Sequence, residues 1–206
     1  MTESVKTILP QQMSIVLMSL LLILMMSNCA SPAQRYYSLS PSKPVPAVES
    51  SNNLPTLSFA IDQVQVPQHF EHTNVLLKNQ DGSLKFMELE RWAAPLPEEI
   101  HDALERQVKA RLQTCSSYHQ DQQRPSSAPQ FRISATLVQM DAVVDGHFSA
   151  RLDWSVQRLR DRQYRPGGNM LELPAVKDIN AVISATQALT SAAARDIAAT
   201  ICANAD

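Results

Sequence analysis

Glycine is scarce. The 206-residue chain has four: Gly82, Gly146, Gly167 and Gly168. A P-loop or a G-x-G-x-x-G fingerprint needs glycines at fixed spacings where backbone meets phosphate. None of the four is so placed, so the common nucleotide-binding loops are excluded by counting. Cysteine is equally sparse, with only Cys29, Cys115 and Cys202. Excess charge of one sign is also lacking. The formal net charge is -2, which gives no support for nucleic acid as the main partner. Apolar residues make up 44% and charged residues 18%, values of a globular chain rather than a disordered or polytopic membrane one. The length suits one ordinary domain with its own core.

Long apolar runs are absent except at the start. Residues 13–26 read MSIVLMSLLLILMM, interrupted only by two serines. Fourteen residues are too few for a bilayer-crossing helix, which needs roughly 20. They fit the apolar region of a secretory signal, about 7–15 residues long. The charged region before it is thin, with Lys6 opposed by Glu3. Five of the eight methionines fall within the first 26 residues, so the apparent methionine richness belongs to the signal.

After the run comes Ser27-Asn28-Cys29-Ala30-Ser31. A cysteine directly after an apolar stretch and a small polar residue resembles the bacterial lipobox. That signal implies a diacylglycerol thioether on Cys29, cleavage before it and acylation of the new amine. The usual Leu and Gly or Ala positions hold Met26 and Asn28 here. The bland alternative is an uncleaved anchor with an incidental cysteine. Acyl chains contribute about 0.8 kcal/mol per buried CH₂, so several chains hold stably. Ala30 is not the Asp associated with inner-membrane retention, so the resemblance implies the outer membrane, with the domain facing the periplasm.

With Cys29 assigned to lipid, Cys115 and Cys202 remain, and 86 residues lie between them. An exported domain with an even cysteine count invites a disulfide. Two separate buried thiols are the alternative.

The expected organisation is a signal peptide at 1–28, a lipidated N-terminus and tether at 29–55, and one domain at 56–206. Pro, Ser and Asn dominate the tether, with a short docking strand at 36–39. Residues 56–66 alternate at Leu57, Phe59 and Ile61, then shift phase to Val64 and Val66. That pattern predicts a strand with a bulge near Asp62, ended by Pro67. Strands near 75–77 and 84–89 flank Asp81-Gly82, a hairpin signal. Ile100, Leu104, Val108, Leu112 and Cys115 recur at helical spacing, with Pro97 at the first helical position. Phe131 to Leu137 and Phe148 to Val156 alternate as strands around an Asp145-Gly146 turn. Pro166-Gly167-Gly168-Asn169 predicts another turn before a strand at 170–173. A long Ala-rich helix follows at 178–203, with Ile179, Val182, Ile183, Thr186, Leu189, Ala193, Ile197 and Ile201 on its inner face. The order predicts an α+β fold: a single domain with a mixed, mostly antiparallel sheet and two main helices packed on it.

Motifs for catalysis do not assemble. Ser40-Pro41-Ser42-Lys43 matches S-x-x-K, but that chemistry needs Ser and Lys on adjacent helical turns. Here Pro41 and Pro44 surround it, and no S-D-N or K-T-G follows. His69-Phe70-Glu71-His72 follows a strand-ending proline and lacks the H-E-x-x-H spacing of a zinc protease. His101, His119 and His147 are scattered, and Asp141, Asp145 and Asp153 suit turns and an exposed strand. No catalytic residue, metal site or cofactor is expected. An exposed Trp in a loop is a candidate interface anchor, which makes Trp92, Pro95 and Leu96 candidate partner contacts. The favoured alternative has Trp92 plugging the helix–sheet junction.

An ordered set of short motifs carries a family resemblance. It comprises Tyr37-Ser38-Leu39 soon after the lipobox, Val64-Gln65-Val66-Pro67, and Arg91-Trp92-Ala93-Ala94-Pro95-Leu96 opening a helix. It continues with Asp145-Gly146 leading into Ala150-Arg151-Leu152-Asp153-Trp154, then Ala185-Thr186-Gln187-Ala188-Leu189 and Arg195-Asp196-Ile197-Ala198. Over residues 31–203 the chain resembles the PqiC/YmbA family of auxiliary lipoproteins of ABC-type or paraquat-inducible transport systems. The resemblance implies a non-catalytic docking or gating subunit at the outer membrane. Its implied partner is a periplasmic MCE-domain protein of a PqiB-like system that conducts lipid between membranes. Self-assembly into a homo-oligomer would suit docking on an MCE ring. The competing class is a structural or assembly lipoprotein without a transport role, and a periplasmic hydrolase ranks behind both.

Overall fold

Inward-facing residues of two long strands build the centre of the core. In the computed structural model, residues 32–40, 57–115, 129–143 and 145–205 are described, with only the backbone at 113–115. The strands are β1 (Arg35–Tyr37), β2 (Phe59–Ile61), β3 (Asn74–Lys78), β4 (Leu84–Trp92), β5 (Phe131–Ala142), β6 (Gly146–Arg158) and β7 (Tyr164–Val176). The helices are α1 (Leu96–Cys115) and α2 (Ile179–Ala203). Residues from Gln34 onward form one compact unit.

Alternation along β5 buries Phe131, Ile133, Ala135 and Leu137, and on β6 it buries Phe148, Ala150, Leu152, Trp154 and Val156. Antiparallel register sets Ile133 opposite Val156 and Leu137 opposite Leu152. The sheet order is β2-β5-β6-β7, with β2 parallel to β5. As the phase shift predicts, the β2 ladder breaks after Asp62 and resumes where Gln65 bridges Thr136. A second sheet has the order β1-β4-β3, with β1 parallel and β3 antiparallel to β4. The expected α+β fold with two helices on mixed β structure is the observed one, with the strands divided between two sheets. A Lys78–Asp141 ion pair of 3.0 Å joins β3 of one sheet to β5 of the other. Burial pushes the Asp141 carboxyl up, but the Lys78 and Gln139 bonds outweigh it and hold it below the usual range.

Both helices follow their sequence signals. The α1 residues Ile100, Leu104, Val108 and Leu112 are buried. In α2 every expected inner residue is buried except Ile179, which is partly covered. Asp178 caps α2, its carboxylate accepting from the Ala181 N–H at 2.8 Å. Arg111 reaches Ser191 at 3.1 Å and ties α1 to α2. No helix among the described residues is long and apolar enough to cross a membrane.

Two hairpins form as expected. Gly82 has φ +86 and the Asp81 carboxylate accepts from Ser83 N–H at 2.9 Å. Asp145, at φ 57, turns the chain into β6. The third expected turn, at 166–169, is not there. β7 runs unbroken through Pro166-Gly167-Gly168, and the chain reverses earlier, at 159–163, where Arg162 has φ 59. The reason is packing. β7 is a sheet edge, where a proline need not break the ladder. Gly167 lies opposite Trp154, and a Cβ there would run into the indole ring at Cζ2. Trp154 Nε1 in turn donates to Asn169 at 2.8 Å, and Asn169 donates to Asp196 of α2 at 2.7 Å.

Gly167→Ala must therefore displace a buried ring and is expected to cost about 1–3 kcal/mol. At Gly168 the added Cβ meets the end of the Asp153 side chain, 2.6 Å away, which can swing aside. Thermal unfolding of the two variants checks this: Gly167→Ala should fall well below Gly168→Ala, and equal losses would contradict the packing role.

Candidate functional site

The short segment 34–40 is stitched into the domain. β1 lies along β4, with Arg35, Tyr36 and Tyr37 opposite Glu90, Arg91 and Trp92. The Ala93 N–H donates to the Tyr37 carbonyl at 2.7 Å. Leu39 then drops into the core and is 1% exposed. Its backbone N–H cannot reach water, so it needs an acceptor. Glu99, in the first turn of α1, supplies one: Oε2 accepts from Leu39 N–H and from the Ser38 hydroxyl, each at 2.8 Å. The helix N-terminus favours a carboxylate at this position. From α2, Gln187 Nε2 donates to the Ser38 carbonyl at 2.9 Å. Tyr37 donates to Glu90 at 2.7 Å, and burial and then that bond push the phenol pKa up. Residues 34–40 thus form a strap fastened to β4, α1 and α2 together.

The expected site residues fare differently. Cys29 lies outside the described residues, as does the Cys115 side chain. Cys202, in the last turn of α2, is disulfide-bonded. Trp92 and Leu96 are 1% and 0% exposed. They fill the junction of β4, the strap and α1, and the expected partner-anchor role does not fit them, because they have no surface left for a partner. Pro95 is half-buried and its carbonyl accepts the N–H groups of Glu98 and Glu99.

The motif matches stay bland. Ser40 accepts from Arg106 and its backbone N–H is held by Ser38, while the Lys43 of S-x-x-K lies outside the described residues. His69 leans against Phe70 in a short 3₁₀ turn, the rings tilted by 49°, and His72 meets Phe86 edge-on. Among the described residues, His101, Asp102 and Glu105 group within 4.8 Å on the outer side of α1. Their spacing on one helix brings them together, and they are solvated.

A surface feature escaped the sequence reading. The outer face of β5, β6 and β7 carries an open trough of about 640 Å³, lined by Ser134, Thr136, Asp153, Ser155, Tyr164 and Met170. Gly168 leaves its floor without a side chain, while Tyr164 and Met170 stand 58% and 59% exposed. Arg151 and Asp153 pair at 2.8 Å at its side. The signal was present as period-2 alternation at Asn169, Leu171 and Leu173, extended back through Gly167. The Pro-Gly-Gly chemistry of a turn masked it. The trough is polar and shallow and holds no paired acid and base aimed at a common point.

Known proteins bear on this geometry. The model of the family described as ABC-type transport auxiliary lipoprotein component matches residues 37–198. A crystal structure of an uncharacterised protein has a TM-score of 0.61 at 18% identity, covering 82% of this chain and 99% of the other. A protein of Xanthomonas campestris, described as DUF330, has a TM-score of 0.53 at 12% identity, covering 81% and 90%. At those identities the two structures share the fold alone. No curated protein matches in sequence.

The Glu99 clamp gives a direct test. Glu99→Ala leaves the buried Leu39 N–H without an acceptor, at a cost of about 1–3 kcal/mol. Amide hydrogen exchange should show residues 37–39 losing protection in Glu99→Ala, and less so in Glu99→Gln, which keeps an acceptor oxygen. Unchanged protection at Leu39 in the alanine variant would remove the clamp from the account.

Proposed function

Because the chain belongs to the family of ABC-type transport auxiliary lipoprotein components, we propose that it is the docking subunit of an MCE-type intermembrane lipid transport system. In this reading Cys29 carries the lipid, the anchor sits in the outer membrane and the domain faces the periplasm. The chain contributes binding and positioning rather than catalysis, and the ATP chemistry belongs to a partner.

The observation that carries the reading is the strap. Residues 35–39 follow the lipobox by a few positions, and the fold spends a buried carboxylate, Glu99, on holding them. Such fastening suits a subunit that presents a surface at a set distance from a membrane. The polar trough over β5–β7 is the surface we assign to the periplasmic MCE-domain partner, since its serines, threonine and exposed Tyr164 and Met170 suit a wet, non-obligate contact.

Cells labelled with radioactive palmitate and then crosslinked would test both halves. The expected outcome is label on the wild-type chain, none on Cys29→Ser, and an MCE-domain protein in the crosslinked product. Label without an MCE-domain protein would instead favour an assembly lipoprotein of the outer membrane without a transport role.

Cys115 and Cys202 end α1 and α2, two helices that pack on each other. With Cys29 on lipid, we assign Cys115 as the partner of the bonded Cys202. Peptide mapping without reductant should recover the two in one linked fragment. Recovery of Cys115 as a free thiol would overturn the pairing.

A further inference from the structure

A second cleft, separate from the trough, opens between β1, the β3–β4 hairpin and the start of α2. Its volume is about 470 Å³, within the size range of small-ligand sites. Its walls are of two kinds. Leu77, Met87, Val143 and Ile179 give an apolar side. Arg35, Lys78, Lys85 and Lys177 stand around it, against Glu90 and Asp178.

The charges divide by what they already hold. Lys78 is paired with Asp141 at 3.0 Å. Glu90 accepts from Tyr37 at 2.7 Å and faces Arg35 at 3.8 Å. Asp178 is committed to the cap of α2. Lys85 and Lys177 have no ion-pair partner among the described residues. Arg35 thus offsets Glu90 and Asp141 offsets Lys78, while Lys85 and Lys177 outnumber the remaining carboxylate, Asp178, and leave the cleft a surplus positive charge. The cleft therefore favours an anion, and its apolar wall favours an anion attached to hydrocarbon.

We propose that this cleft binds an anionic phospholipid. The headgroup phosphate lies between Lys85 and Lys177, and the start of an acyl chain lies along Leu77, Met87, Val143 and Ile179. Lysine is a point-charge donor suited to a phosphate diester. The volume takes a headgroup and a short length of chain, not two whole tails. Free phosphate offers the same charge, but it would leave the apolar wall wet. Position along the chain favours the lipid. Arg35 borders the cleft and follows Cys29 by six residues, a stretch that spans at most about 20 Å when fully extended. An anchor at Cys29 would keep the cleft within reach of a phospholipid surface. This last point rests on the lipid-anchor reading given above; the two free lysines and the apolar wall do not.

The test is a calorimetric titration of the full chain, purified in a neutral detergent, with three probes. They are short-chain phosphatidylglycerol, phosphatidylcholine of the same chain length, and inorganic phosphate. Saturable binding of phosphatidylglycerol is expected, with phosphatidylcholine and phosphate each weaker by about tenfold or more, as the loss of charge-assisted contacts or of the apolar wall implies. Lys85→Ala with Lys177→Ala should weaken phosphatidylglycerol by about tenfold or more. Lys109→Ala, on an exposed position of α1, should change nothing. All three lysines are exposed, so unfolding should not intervene, and an unchanged melting temperature would verify that. Equal binding of the two lipids, an unaffected double variant, or an equal loss in Lys109→Ala would overturn the proposal. Phosphate binding as tightly as phosphatidylglycerol would overturn the lipid as its source. None of these readouts needs an MCE-domain partner or an acylated Cys29. A failed titration therefore leaves the docking role standing, and a failed crosslink leaves the cleft standing.

Discussion

A buried carboxylate at the start of a helix holds this fold together at its most consequential point. Glu99 is 7% exposed, and a charge that far from water must be matched by donors. Its donors are the Leu39 N–H and the Ser38 hydroxyl, 60 and 61 positions away along the chain. They come from the strap, and the α1 N-terminus supplies the favourable field. Leu39 in turn helps to close the core over Trp92 and Leu96. Remove the carboxylate, and a buried N–H, a core leucine and the parallel β1–β4 pairing all lose support together.

The strap changes how the N-terminal region should be understood. A Pro/Ser-rich stretch from 29 to 55 suggests a long flexible tether. Instead the chain fastens at 35–39, and only the few residues from Cys29 to Gln34 separate the candidate lipid site from the fold. Composition could not reveal this. Tyr37, Ser38 and Leu39 look unremarkable among serines and prolines, and their partner Glu99 is ordinary as a first-turn acid. What fixes them is a contact across some sixty residues. The sequence did carry a local hint of a short strand at 36–39. It did not carry which edge that strand would join or that the pairing would be parallel.

Elsewhere legibility tracked how local the cause was. The α2 helix was readable because its inner face repeats from Val182 to Ile201 and Asp178 caps it. The β5–β6 hairpin was readable because each strand alternates cleanly and Asp145-Gly146 turns between them. The 166–169 segment has the composition of a turn and yet runs as strand because Pro and Gly have two physical uses. They make turns, and they also let a backbone lie against a large ring at a sheet edge. Only the position of Trp154 decides between these uses, and that position is a matter of register. The same double use hid the trough, since its floor is Gly168. A site assembled from separate parts of the chain has no motif. The cleft, in particular, draws on β1, β3, β4 and the first turn of α2.

The energetics of the strap explain why a single side chain matters so much there. Ordering the seven residues 34–40 costs about 1–2 kcal/mol each in backbone entropy, roughly 7–14 in total. Burying Leu39 contributes about 2–3 kcal/mol. The three bonds to Glu90 and Glu99 contribute about 1.5–3 each, and those from Gln187 and Ala93 about 0.5–1.5 each. The two sides agree within a few kcal/mol, so the strap is held with little surplus. Local opening at 34–40 is then far less costly than unfolding of the β5–β6–α2 core, whose inward-facing apolar residues are buried. A lipid-anchored subunit built this way can keep its domain close to the membrane while the strap stays docked.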